Sequence, residues 1–211
     1  MKKKIKRKQL KYNIKRNKSL LIKEDAFTSY QQHETAVNQT LGTTKKDFGV
    51  FFTPTRIVDL MVGLINTQKL AAHKNLTILE PACGLAQFLV GIKRNKPLVF
   101  NRAQKWGVEI NQDILSYHDN LEIKKNINLI NADYLLWQPE LDFNLIVGNP
   151  PYGIPSLSEH YTIKISPETK QKYRQFYETW YGKYNVYGAF IEKSVKLLKP
   201  DGQLIFIVPP T

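Results

Sequence analysis

The chain has 211 residues, 42% of them apolar, enough to bury one good core with room for a small appendage. Its single cysteine, Cys83, excludes an intramolecular disulfide, and four scattered His without partner spacing give no metal-ligand set for structural zinc. The formal net charge is +13, yet eleven Lys and Arg and no acid fall within residues 1–23, leaving 20 basic against 18 acidic residues elsewhere.

The basicity is therefore mostly a tail, running from Lys2 to Lys23. Such tails usually meet polyanions, nucleic acid most often; a solvated end with no specific partner is the alternative. The only apolar run in it, Leu20-Leu21-Ile22, is too short for a signal-peptide core or a membrane span. A soluble cytoplasmic protein with no membrane partner is the simplest expectation. Residues 24–47 are polar with little periodicity and read as a linker, so 1–47 is expected to be flexible and order to begin near Phe48.

In "FGVFFTPTRIVDLMVGLI" Thr53 is placed to cap a helix and Pro54 to occupy its first turn, with Ile57, Leu60, Met61 and Leu64 at helical spacing as its core face. Short apolar runs then alternate with helical stretches, the pattern of an α/β fold with a parallel sheet. Strands are expected at Leu76 to Leu79, Trp106 to Val108, Ile127 to Ile130, Phe143 to Val147 and Leu204 to Val208. Helices are expected at Ala86 to Arg94, Asn111 to Leu121 and Val186 to Leu198, the last closed by Lys199-Pro200-Asp201-Gly202.

The residue after each of the first four strands carries the functional signal. Glu80 follows the first, Glu109 the second, Asp133 stands just past the third and Asn149 just past the fourth. Strand ends in an open parallel sheet share one edge, and ligands bind outside it, so these four side chains should converge. Each acid taken singly is more often a helix-start carboxylate than a ligand contact, and it is their register across three successive strands that favours a site.

The first turn, Glu80-Pro81-Ala82-Cys83-Gly84, lets backbone approach a ligand but lacks the G-x-G-x-x-G pattern of phosphate binding. A cationic ligand without phosphate fits it better. Glu109 is placed to accept from two ribose hydroxyls, and Asp133 from an adenine amino group.

"GNPPYGI" adds a carboxamide, two residues without N–H groups and an aromatic ring at the end of a buried strand. A purine exocyclic amine is a poor nucleophile because its lone pair is delocalised into the ring. Donating to the Asn149 side-chain oxygen and the Pro150 carbonyl would let that nitrogen pyramidalise, while Tyr152 stacks on an extruded base. Positioning and electrostatics would then carry the rate. The alternative is a rigid turn with Tyr152 as a core anchor.

With "FFTPTRIVDLM" upstream, "ILEPACGLAQFL" between and "GKYNVYGAFIEKSVKLLKPDG" after, Asn149-Pro150-Pro151-Tyr152 resembles the gamma-class DNA adenine-N6 methyltransferases, TaqI-type modification methylases in particular. The resemblance spans roughly Phe48 to Thr211. It implies a Rossmann-like, S-adenosylmethionine-dependent methyltransferase fold, a mostly parallel sheet truncated here after its fifth strand. Methyl transfer from S-adenosylmethionine to a flipped adenine in double-stranded DNA, within a restriction-modification system, is the implied activity.

By the same resemblance Thr53 would contact the methionine part of the cofactor, and Glu80, Pro81, Ala82 and Cys83 would line that pocket. Glu109 would hold the ribose, and Asp133 and Tyr134 the adenine. Pro151 would border the cofactor, while Asn149, Pro150 and Tyr152 handle the target base.

The family continues past this point with two more strands, a second aromatic for the base and a target-recognition domain. A second polypeptide carrying those parts, and a cognate restriction endonuclease, are the implied partners. Methylation of protein glutamine or of an RNA base, where Asn-Pro-Pro-Tyr also occurs, stays open, as does an inactive remnant that binds cofactor or DNA.

Overall fold

Alternation along the strands decides how this chain layers. In a computed structural model, residues 53–117, 125–153, 165–181 and 185–209 are described. The basic tail, the linker, the expected onset of order at Phe48 and the end of the Asn111 to Leu121 helix past Tyr117 lie outside them. In chain order the elements are α1 (Thr55–Gly63), α2 (Thr67–Ala71), β1 (Thr77–Pro81), α3 (Gln87–Asn95), α4 (Pro97–Arg102), β2 (Gln104–Glu109) and α5 (Gln112–Tyr117). They continue with β3 (Asn128–Asn131), β4 (Phe143–Gly148), α6 (Pro167–Phe176), α7 (Val186–Lys196) and β5 (Leu198–Phe206).

The five strands form one sheet in the order β3-β2-β1-β4-β5, every pairing parallel. From β1 the chain steps outward through β2 and β3, then returns to place β4 on the other side of β1. The strand order thus reverses between β1 and β4, and a crevice opens beyond their carboxyl ends. Neighbouring residues on one strand face opposite layers. Ile78 and Val147 join α1 to α4 in one apolar cluster, whereas Leu79 and Ile146 join α6 and α7 in the other.

The first helix buries a different stripe from the expected one. Of Ile57, Leu60, Met61 and Leu64 only Met61 is buried, with Leu60 65% and Leu64 67% exposed; Val58, Met61, Val62 and Ile65 form the core face instead. Both stripes have helical spacing, and contact with α3 selects between them. Gly91 leaves room there for Val58: a Cβ on Gly91 would lie 2.5 Å from Val58 Cγ1. Nor does Thr53 cap this helix. Pro54 stands at the N-cap position without a side-chain cap bond, and the Thr53 hydroxyl is engaged elsewhere.

The last strand also departs from expectation. It begins at Leu198, before the Lys199-Pro200-Asp201-Gly202 turn, and ends at Phe206. Phe143 pairs with Leu198 and Leu145 with Gln203, so the turn is an excursion within the strand, with Asp201 at φ 63°. Leu204, Ile205 and Phe206 are half-buried, as suits a strand that pairs on one side only among the described residues. Helices α2, α4 and α6 lay outside the expected set. Among the described residues no helix is long and apolar enough to cross a membrane, and no group of three or more His, Cys, Asp or Glu could hold a metal ion.

Candidate active site

The turn leaving β1 alternates its backbone hand. Ala82, Gly84 and Ala86 stand at φ 51°, 51° and 58°. For the two alanines this left-handed conformation costs roughly 1–2 kcal/mol each, a strain typical of functional turns. The turn is held from beneath: the Cys83 N–H donates to the Val108 carbonyl at 2.9 Å. Its buried thiol lies against β2, where a Cβ on Gly107 would come within 2.8 Å of Sγ. Burial, with Glu109 and Glu80 nearby, pushes that thiol well above its usual pKa, so it stays protonated.

Two buried carboxylates flank the turn. Glu80 accepts from the N–H groups of Phe88 (3.1 Å) and Leu89 (2.9 Å), capping the first turn of α3, where Ala86 at the N-cap has no side-chain acceptor to offer. Burial pushes its carboxyl up to about 8, against the pull of those two donors and with the charge of Glu109 adding to the rise. Glu109 accepts from the Gly84 N–H and the Asn111 N–H, both at 2.9 Å, so one carboxylate ties the β1 turn to the β2 turn. Burial raises its pKa too. Neither carboxylate has a Lys or Arg at ion-pair distance among the described residues. Two desolvated acids without a cation suit a ligand that brings positive charge of its own.

Beyond β3, Asp133 accepts from the Leu135 N–H on Oδ1 (2.9 Å) and from the Tyr173 hydroxyl on Oδ2. Tyr134 turns inward. Its ring packs on Phe190 with centroids 4.8 Å apart, and its hydroxyl shares a 2.9 Å hydrogen bond with Ser194. The side chain is thus committed to the second core cluster, leaving its backbone as the part nearest Asp133.

At the end of β4 the Asn149 amide is held at both ends. Its Nδ2 donates to Thr53 Oγ1 at 3.1 Å, and its Oδ1 accepts from the Tyr152 hydroxyl, which also lies 2.8 Å from the Ile207 carbonyl. Thr53 is in turn fixed by its own N–H donating to Gln87 Oε1 at 2.7 Å. Pro150 is buried, and Pro151 and Tyr152 are half-buried. Asn185, capping α7, accepts from the Gly153 N–H (3.1 Å), and Val186 N–H donates to the Gly153 carbonyl (3.1 Å), stapling the loop to that helix. Tyr187 meets the Tyr152 ring edge-on at 6.4 Å.

The structure therefore brings together Thr53, Asn149 and Tyr152 in one cluster and Glu80, Cys83 and Glu109 in another, all at the carboxyl edge of the sheet. Asp133 stands at the same edge, past β3. Gln87, Tyr173 and Asn185 support them without having been expected to. Asn185 had a signal, as the residue opening the apolar run of α7; a single Tyr in the polar stretch of α6 had none.

An all-parallel sheet with its strand order reversing between β1 and β4, acids closing the first three strands and Asn-Pro-Pro-Tyr closing the fourth defines a class I methyltransferase fold. A solved structure from Listeria monocytogenes described as a class I S-adenosylmethionine-dependent methyltransferase shares it, with a TM-score of 0.57 at 23% identity over 75% of this chain and 46% of that one. S-adenosylmethionine is the cofactor of this fold, and Glu80, a buried carboxyl with no Lys or Arg at ion-pair distance among the described residues, suits its positive charge. Residues 58–211 match the Eco57I restriction-modification methylase family, and the chain belongs to that family.

Two relatives are the type II methyltransferase M.TthHB8I of Thermus thermophilus, 40% identical over 79% of this chain, and the modification methylase CviBIII of Paramecium bursaria Chlorella virus NC1A, 31% identical over 86%. The chain spans 36% and 43% of their respective lengths.

Proposed function

We propose that this chain is the catalytic part of a restriction-modification DNA methyltransferase that methylates adenine at N6 in double-stranded DNA. The observation that carries the reading is the Thr53–Asn149–Tyr152 cluster at the switch point of the sheet. Thr53 claims the Nδ2 end of the Asn149 amide, which leaves Oδ1 as the end facing an incoming amine. More than half of each relative has no counterpart here, so the activity is proposed for the chain together with those parts, in the same or a second polypeptide. Site recognition and a cognate endonuclease belong to that larger assembly.

The cofactor, when bound, supplies a methyl group on a positively charged sulfur. The residues of the chain do the rest. Glu80, Pro81, Ala82 and Cys83, with Thr53, would bound the methionine end; Glu109 would exchange its backbone donors for ribose hydroxyls; Asp133 would accept from the cofactor adenine amino group, beside the Tyr134 backbone; Pro151 would border the cofactor.

The target adenine enters against the Tyr152 ring. Its amino group donates one hydrogen to Asn149 Oδ1, displacing the Tyr152 hydroxyl, and the other to the Pro150 carbonyl. The nitrogen pyramidalised between Asn149 and Pro150 would offer its lone pair to the methyl group, the sulfur would be left as a neutral thioether, and the extra proton of the methylated amine would pass to water. The Ile207 carbonyl keeps the displaced Tyr152 hydroxyl hydrogen-bonded, so base entry leaves no orphaned donor.

Methyl transfer to mixed-sequence DNA by the chain together with those remaining parts, read by nucleoside mass spectrometry, tests this. N6-methyladenine that disappears in Asn149→Ala is the expected result. Transfer to cytosine, to RNA only, or to glutamine in a peptide would overturn the adenine assignment.

A further inference from the structure

The Asp133 carboxylate is gripped by a side chain that the mechanism leaves without a task. Tyr173 lies on α6, 40 residues further along the chain, and is 4% exposed. Its ring stands edge-on to Trp180, centroids 4.7 Å apart, and to Tyr177 at 6.5 Å, within the second core cluster. The hydroxyl therefore reaches Asp133 from the core side.

Asp133 itself is only half-buried. A carboxylate offers about four lone-pair sites. The Leu135 N–H takes one on Oδ1 and the Tyr173 hydroxyl one on Oδ2, so with both oxygens tied the group cannot turn about its Cβ–Cγ bond. The remaining lone pairs keep a fixed direction. A hydroxyl facing an acceptor-only group must donate, and burial together with the negative charge of Asp133 raises the Tyr173 pKa, so it remains a donor throughout the working range of pH.

We propose that Tyr173 is a positioning residue which fixes the free Asp133 lone pairs and so makes the site select a purine bearing a 6-amino group over one without it. This rests on the assignment of Asp133 to the cofactor adenine. A site built to accept from an amino group rejects the analogue lacking it because a desolvated acceptor is then left unmatched. Orientation decides how much of that discrimination is realised. A freely turning carboxylate would relax toward solvent and accept either ligand.

The test is calorimetric titration of the full chain with S-adenosylhomocysteine and with its analogue carrying hydrogen in place of the 6-amino group. The wild-type chain should prefer the amino ligand by about tenfold or more. Tyr173→Phe should weaken the amino ligand about tenfold and leave the analogue unchanged, collapsing the preference. Asp133→Asn should collapse it as well, and retained binding of the analogue shows that both variants are folded. An unchanged preference in Tyr173→Phe, or equal loss for both ligands, would overturn the proposal. Equal affinity for the two ligands in the wild-type chain would instead remove the Asp133 assignment beneath it.

Discussion

The Asn149 side chain donates to Thr53 Oγ1 at 3.1 Å, joining residues 96 positions apart. That single contact fixes the orientation of the amide and, under the proposed function, leaves Oδ1 for the target base. Thr53→Val keeps the shape and removes the acceptor, leaving a part-buried N–H unmatched at a cost of about 1–3 kcal/mol. Methyl transfer should fall about a hundredfold through misorientation of Asn149, with cofactor affinity less affected. Thr53→Ser should restore most of it. Steady-state kinetics on the three proteins would show this as a loss in kcat larger than the change in cofactor KM.

Burial holds the Glu80 carboxyl at about 8, so it is largely protonated at pH 7 before the cofactor arrives. The sulfonium and ammonium of a cofactor held at the proposed site would favour the carboxylate, so binding should expel protons and affinity should rise with pH up to about 8. The sign for stability is opposite. An acid raised in the folded state binds more protons than the unfolded chain between about 4.5 and 8, so the ligand-free fold should weaken as pH rises through that window. Calorimetry in buffers of different ionisation enthalpy measures the proton release, and Glu80→Gln should flatten both dependences.

Gly91 sits where α3 meets α1, and a Cβ there would lie 2.5 Å from Val58 Cγ1 and 3.3 Å from Val62 Cγ2. Gly91→Ala gains roughly 0.5–1 kcal/mol of helix propensity but overpacks a contact that cannot give, at about 1–3 kcal/mol. Net destabilisation is expected in urea unfolding. Pairing it with Val58→Ala should recover part of the loss.

Glu192 accepts from the N–H groups of Glu178 and Thr179, the Thr179 hydroxyl and the Lys196 ammonium. Burial opposes ionisation there, yet Lys196 and the Thr179 donors outweigh it and hold the carboxyl at about 2. A depressed acid contributes stability above its unfolded value near 4.3 that is lost as pH falls toward 2. Amide exchange at Glu178 and Thr179 should stay slow to about pH 3 in the wild-type chain and quicken in Glu192→Gln.

The converging strand ends were legible because burial and function leave different marks on one short stretch: an apolar run of about five residues, then an acid or an Asn. The α1 face was not. Ile57, Val58, Leu60, Met61, Val62, Leu64 and Ile65 surround that helix with apolar residues, and a glycine 33 positions away in sequence, rather than anything local, picks the stripe. Tyr173 was hidden for a related reason: one buried ring in PETKQKYRQF makes no periodicity. Thr53 carried a local signal for capping that a partner on β4's far end overrode.

The site is assembled from segments remote in sequence, since Thr53 meets Asn149, Gly84 meets Glu109, Asp133 meets Tyr173, and Tyr152 meets Ile207 just past β5. Contacts of such span form late, after most of the loop-closure entropy has been overcome. A chain still emerging from the ribosome, with β5 unmade, has no carbonyl from Ile207 to receive Tyr152. Under the proposed function, base handling therefore waits on the segment that carries Ile207, rather than growing by degrees during synthesis.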